Sequence, residues 1–152
     1  MTLRRFWICI MCYCRKRKIR VIVAGGRDFD NYAKLKAVLD ATFADRNQSI
    51  EIVSGHAKGA DMLGERYAFE KNIPCKVFPA EWNKYPIRAG FIRNSQMIEY
   101  AMRETPMLIA FWNGTSHGTA DTIEKAKKAN IECITVYYDS APIAEKTTEN
   151  ES

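Results

Sequence analysis

The stretch "VIVAGGRDFDN", residues 21–31, decides how this chain is read. Three β-branched residues and an alanine form a run apolar on both sides, as in a strand covered from above and below. The run stops on Gly25, Gly26, Arg27 and Asp28, a turn that is both pliant and charged. Upstream, "KIRVIVAG" carries the strand back to Lys18. Downstream, "NYAKLKAVLDATFAD" places Tyr32, Leu35, Val38, Leu39 and Phe43 at helical spacing, with Asn31 or Asp30 as the N-cap.

The same strand, turn and helix recur along the chain. "SIEIVSG" reads as a second strand, and "GADMLGERYAFEKN" as a helix with Met62, Leu63, Tyr67 and Phe69 facing inward. "PCKVFPA" is a short third strand, followed by the irregular "EWNKYPIRAG". "FIRNSQMIEYAMRE" is a third helix, "PMLIAFWNG" a fourth strand, "GTADTIEKAKKAN" a fourth helix and "IECITVYY" a fifth strand. Alternation of this kind predicts an α/β fold, a Rossmann-like three-layer sandwich whose mainly parallel sheet has five strands or slightly more. In such a sheet every strand-to-helix turn lies along the carboxyl edge, where ligands bind at the switch in strand order.

Charge divides the chain unevenly. Of its 23 Lys and Arg residues, seven fall in the first twenty positions, leaving 16 against all 18 acids. The chain after residue 20 is therefore slightly acidic, and the positive excess belongs to its basic N-terminal arm, residues 1–17, and the start of the body, residues 18–139. The apolar part of that arm, Phe6 to Cys14, is far short of the roughly 20 residues that span a bilayer, so no stable membrane insertion is expected. Basic residues follow it where a signal peptide would carry small ones. The arm reads as disordered or as a start-site extension, and the polar residues 140–152 as a frayed tail. Cys9, Cys12 and Cys14 cluster in the arm without a nearby fourth ligand, so no metal is expected. With the other two cysteines on core elements, no disulfide framework is expected either, and a reducing cytoplasm is the anticipated compartment.

Three turns carry the candidate site. In "GGRDF", Gly25 and Gly26 allow close backbone approach, Arg27 offers a planar fork for an anion, and Asp28 accepts hydroxyls or caps the next helix. In "VSGHAKGADML", Ser54 ends a strand, Gly55 and Gly59 shape the turn, and Asp61 stands in the first turn of a helix whose N-terminus favours anions. In "FWNGTSHGTADTI", Gly114 and Gly118 bracket Thr115, Ser116 and His117, and Thr119 opens a helix. The spacing is not that of a P-loop and lacks its lysine, which argues against a kinase or ATPase. Between the turns, Trp82 and Tyr85 offer surfaces for stacking on a base, and Arg93 with Asn94 adds a charge and an amide. His56 and His117, each in a glycine loop, are candidates for acid–base work.

Taken in order, "GGRDF", "SGHAKGAD", "PAEW", "AGFIRNSQM" and "GTSHGTADTI" closely resemble the YspA/YpsA-related (cpYpsA-related) branch of the SLOG superfamily, over about residues 18–138. More distant relatives there include the LOG phosphoribohydrolases, molybdenum-cofactor carriers and the DNA-processing protein DprA. The resemblance implies a nucleotide or nucleotide-derived ligand held over the glycine loops, with no obligatory cofactor. It carries the site onto Gly25, Gly26, Arg27, Ser54, Gly55, Gly59, Asp61, Arg93, Asn94, Gly114, Ser116, Gly118 and Thr119. It also implies a homodimer.

Departures from that pattern set the functional expectation. The LOG loop P-G-G-x-G-T-x-x-E ends in a glutamate, and Thr122 stands in its place here, with Asp121 roughly 100° away around the helix. The leading expectation is a sensor or carrier of a nucleotide. The first alternative is a nucleoside-phosphate N-glycosidase using Asp28, Asp61 or Glu81. The second is a single-strand nucleic-acid binder working through the basic arm, which the acidic body disfavours.

Overall fold

The computed structural model describes residues 17–140. The arm, its cysteine cluster and the tail beyond residue 140 lie outside the described residues. Five strands and four helices alternate: β1 (Ile19–Gly25), α1 (Tyr32–Phe43), β2 (Ile50–Ser54), α2 (Ala60–Glu70), β3 (Cys75–Val77), α3 (Ala89–Ala101), β4 (Thr105–Trp112), α4 (His117–Lys128) and β5 (Glu132–Tyr137). All strand pairs are parallel, in the order β3-β2-β1-β4-β5. The Rossmann-like three-layer fold read from the alternation is thus the fold of the described residues.

The period of two along each strand sorts the core into two layers. Ile19, Val21 and Val23 of β1, Ile52 of β2 and Met107, Ile109 and Phe111 of β4 pack with Leu35 and Leu39 of α1 and Tyr67 and Ala68 of α2. Ile22 and Ala24, Val53, and Leu108 and Ala110 point the other way, onto Met97, Ile98 and Ala101 of α3 and Ile123 and Ala126 of α4. Each aliphatic side chain fully removed from water there contributes roughly 1.5–3 kcal/mol. The edge strands are different. β3 is only three residues long, and both β3 and β5 are largely half-buried or exposed, so apolar burial on both faces holds for β1, β2 and β4 alone.

Two inward assignments on α2 are corrected. Met62 is about half exposed and Phe69 is 85% exposed. The helix seats itself through Ala60, Gly64, Tyr67 and Ala68, and a Cβ on Gly64 would stand 2.9 Å from the side chain of Val23. Small residues on that face draw the helix close to the sheet, and residues 62 and 69, two turns apart, share the opposite face.

At the amino end of the sheet, a polar cluster ties α3 to the strands. Glu51 accepts from Arg20 Nε at 3.0 Å and from the Tyr100 hydroxyl at 2.9 Å, and pairs with Lys18 Nζ at 2.9 Å. Arg20 also donates to the Tyr100 carbonyl at 2.7 Å and stacks on its ring. Burial opposes ionisation of Glu51, but Lys18, Tyr100 and Arg20 together outweigh it and hold the carboxyl below its ordinary value. A depressed carboxylate pKa stabilises the fold above the unfolded value of about 4.3 and loses that contribution as pH falls through the folded value. Glu51→Gln is therefore expected to lower the melting temperature at neutral pH, and the gap to wild type should close below about pH 4 in thermal melts.

Candidate functional site

The carboxyl edge opens into a cleft of about 420 Å³ above the junction of β1 and β4. This is where the strand order reverses: β1 leads through α1 to β2 on one side, and β4 leads through α4 to β5 on the other. Ten residues anticipated from sequence line it: Gly25, Gly26, Arg27, Asp28, Asp61, Arg93, Asn94, Ser116, Gly118 and Thr119.

Four anticipated residues do not form its wall. Ser54 is fully buried, donates to Glu65 Oε1 at 2.7 Å and accepts from the His56 N–H at 3.1 Å, so it braces the second turn from beneath. Gly55 lies directly under the guanidinium of Arg93, whose Nη1 donates to the Gly55 carbonyl. A Cβ at Gly55 would fall 2.6 Å from Arg93 Cζ and 2.7 Å from Asp61 Oδ2, so glycine is what lets both charges settle there. Gly59 takes φ +94°, a conformation strained for other residues, and its Cα faces the backbone of Gly26 and Arg27. It joins the first turn to the second. Gly114, also at positive φ, shapes the third turn away from the cleft.

Trp82 and Thr122, both noted in the sequence, also line the cleft, together with Gly90, Ile87, Phe91 and Met97, which were not. Gly90, Arg93, Asn94 and Met97 share one face of α3 at the i, i+3, i+4, i+7 spacing, so Arg93 and Asn94 already pointed to Gly90 and Met97. Thr122 lines the cleft and donates to the Gly118 carbonyl at 3.1 Å; it is buried where the LOG pattern has its glutamate. Trp82, Ile87 and Phe91 form an apolar rim, with Ile87 84% exposed. Tyr85, His56 and His117 are not in the wall. His56 faces Glu65 through Nδ1, 3.0 and 3.1 Å from its two oxygens.

Two cations enter the cleft from different elements. Arg27 comes from the first turn, with Cζ 5.8 Å from the centroid of the Trp82 ring. Arg93 comes from α3, its side chain only 11% exposed, with Nε donating to Asn94 Oδ1 at 3.0 Å. Asn94 in turn donates to the Gly118 carbonyl at 3.2 Å and to Asp121 Oδ2 at 3.0 Å, which fixes α3 against the start of α4. Asp121 also pairs with Lys125, so its carboxylate is committed to that network. The first turn of α4 forms the third wall. Ser116 is its N-cap without a side-chain cap bond, and no hydrogen bond among the described residues reaches the N–H of Gly118 or Thr119. Helix-terminal N–H groups in that state favour an anion.

Asp61 is the buried acid of the site. It is 4% exposed, with Oδ2 3.5 Å from the Ala57 N–H and 3.9 Å from Arg93 Nη1. Burial pushes its carboxyl up to about 6; Arg93 and the N–H groups of Ala57 and Gly55 oppose this, and Glu65 adds to it. Asp28 behaves oppositely. The Tyr138 hydroxyl donates to it, and that bond, with Ser140 and Asn113 nearby, holds it below its ordinary value.

A Rossmann-like sheet with glycine turns at its switch point is the architecture that the SLOG resemblance implied. Residues 19–85 match the model of the family described as YAcAr: YspA, cpYpsA-related SLOG family. Over that segment, from β1 to the loop after β3, the match bears out the resemblance read from the sequence. The gene 61 protein of Mycobacterium phage D29 is 27% identical over 120 residues, 76% of this chain and 94% of that protein. Among solved structures, DNA processing protein A (DprA) from Streptococcus pneumoniae aligns at 16% identity and a TM-score of 0.44. That alignment covers 78% of this chain and 59% of the DprA chain, so this chain spans less than two thirds of that protein.

The raised pKa of Asp61 has a signature in stability. The folded state holds the proton more tightly than the unfolded chain, so the contribution is complete below the unfolded value and lost as pH rises through about 6. A shift of two units corresponds to roughly 3 kcal/mol. Asp61→Asn carries no such titration. Its melting temperature relative to wild type is expected to be higher at about pH 7.5 than at pH 4, by roughly 5–10 °C in paired melts.

Proposed function

We propose that the cleft binds a nucleotide or nucleotide-derived ligand and that the protein serves as its sensor or carrier. One observation carries the reading: Arg27 and Arg93 reach the same cleft from separate elements, beside the open N-terminus of α4 and the face of Trp82. Paired guanidinium groups and free helix N–H groups suit a phosphate, and the indole suits a base. The volume of the cleft falls in the usual range for a small-molecule site. Charge favours a small ligand over a long polyanion, since the two arginines face Asp28 and Asp61 in the same wall. A groove that tracks a phosphate chain needs a basic excess.

The test is native mass spectrometry and calorimetry against a nucleotide panel, with chromatographic analysis of what is recovered. An intact bound nucleotide supports the sensor or carrier reading; free base with ribose phosphate replaces it with the hydrolase. Arg27→Ala and Arg93→Ala are each expected to weaken binding about tenfold or more, the loss typical of one charge-assisted hydrogen bond. Arg27→Ala, on an exposed turn, should leave the melting temperature nearly unchanged. Unaltered affinity in both variants would remove the basis of the reading.

A further inference from the structure

We propose that Asp61 accepts a hydrogen bond from a ribose hydroxyl of the bound ligand, so that the cleft separates ribonucleotides from deoxyribonucleotides; this rests on the nucleotide reading above. An ionised carboxylate accepts through two oxygens with about four lone-pair sites. Within the described residues Asp61 is thinly supplied. Its donors are two backbone N–H groups, of Gly55 and of Ala57, the latter at the 3.5 Å limit, and Arg93 Nη1 at 3.9 Å lies beyond hydrogen-bond range. Yet the side chain is 4% exposed, and it forms part of the cleft wall. A buried acceptor short of donors is costly until a ligand brings one.

The place of Asp61 selects the donor. A phosphate offers none at neutral pH, and its charge beside the carboxylate is repulsive. The base is drawn outward, to Trp82 and Phe91 on the rim, both close to half exposed. Arg93, the inner anion clamp, stands next to Asp61, so the carboxylate lies within one sugar's reach of a phosphate held there. The group of a nucleotide that follows its phosphate is ribose, whose hydroxyls donate.

The charges facing Asp61 fix the sign of its proton linkage. Arg93 faces it from α3, and Glu65 from the next turn of α2 with His56 held against it; Arg27 reaches toward Arg93 from the first turn. A hydroxyl donating to the carboxylate favours its ionised form, so binding through Asp61 releases a proton near pH 6 and strengthens as pH rises from 5 to 7. A phosphate seated against Asp61 would do the reverse. The phosphate's own titration cancels when wild type is compared with Asp61→Asn on the same ligand.

The experiment measures affinity by calorimetry for AMP, GMP, CMP, UMP, NAD and ADP-ribose, then for the 2′-deoxy and 3′-deoxy forms of the tightest. Wild type is expected to prefer the ribose form by roughly tenfold to hundredfold over at least one deoxy form, as for a hydrogen bond to a charged group. Asp61→Asn should narrow that ratio, and Asp61→Ala should bring it near unity. The pH dependence in excess of Asp61→Asn should rise between pH 5 and 7. Equal binding of ribose and deoxy forms by wild type overturns the assignment while leaving the nucleotide reading intact. So does a ribose preference unchanged in both variants, or a pH dependence of opposite sign. Absence of binding by every nucleotide overturns the underlying reading and this assignment with it.

Discussion

β1 is hydrogen-bonded along both edges, and everything at the carboxyl end hangs from that fact. Its register with β4 runs unbroken from Ile19 opposite Thr105 to Gly25 opposite Phe111, and with β2 from Ile19 opposite Ile50 to Val23 opposite Ser54. A strand paired on both sides cannot shift its turn without breaking one ladder. The chain leaves β1 toward β2 and leaves β4 toward β5, so the turns above the central pair diverge and a crevice opens between them. The close seating of Gly59 on Gly26 and Arg27 then sets the height of the second turn over the first.

The electrostatics of the crevice follow from that seating. Arg93 is held by a neutral backbone carbonyl and an amide, with Asp61 near but not in full contact. Its charge is thus positioned without being wholly neutralised. Asp61 is correspondingly poorly compensated, which is why burial governs its titration. A site built this way presents a prepared cation and a prepared acceptor side by side, a pairing that suits a ligand with an anion and a hydroxyl close together.

The sheet and the cleft were differently legible. Strand and helix order could be read because β-branched runs such as "VIVA" alternate with 3.6-period segments such as residues 32–43, and each pattern suits only one kind of element. Residues on the first turn and on α3 could be placed together because several motifs fall in order along the chain and a parallel sheet gathers its strand-to-helix turns at one edge. Ser54 and Gly55 sit in the same motif as Asp61, but one braces the loop and the other makes room. Composition cannot separate a residue that touches a ligand from one that shapes the wall. Ile87, an exposed aliphatic residue in an irregular loop, has no period to betray it, and Met62 and Phe69 were misplaced because apolar character was read without the small residues that seat α2.

α3 is tied down at both ends. Tyr100 near its C-terminus is locked into the Arg20 and Glu51 cluster, while Phe91 and Arg93 near its N-terminus stand at the cleft. The two ties lie roughly 10 Å apart along the helix, Tyr100 at one end and at the other Arg93, which donates to the Gly55 carbonyl. Because Asn94 grips the start of α4, the third wall is tied to the same helix. α3 is thus a strut that braces the second and third turns against the amino end of the sheet.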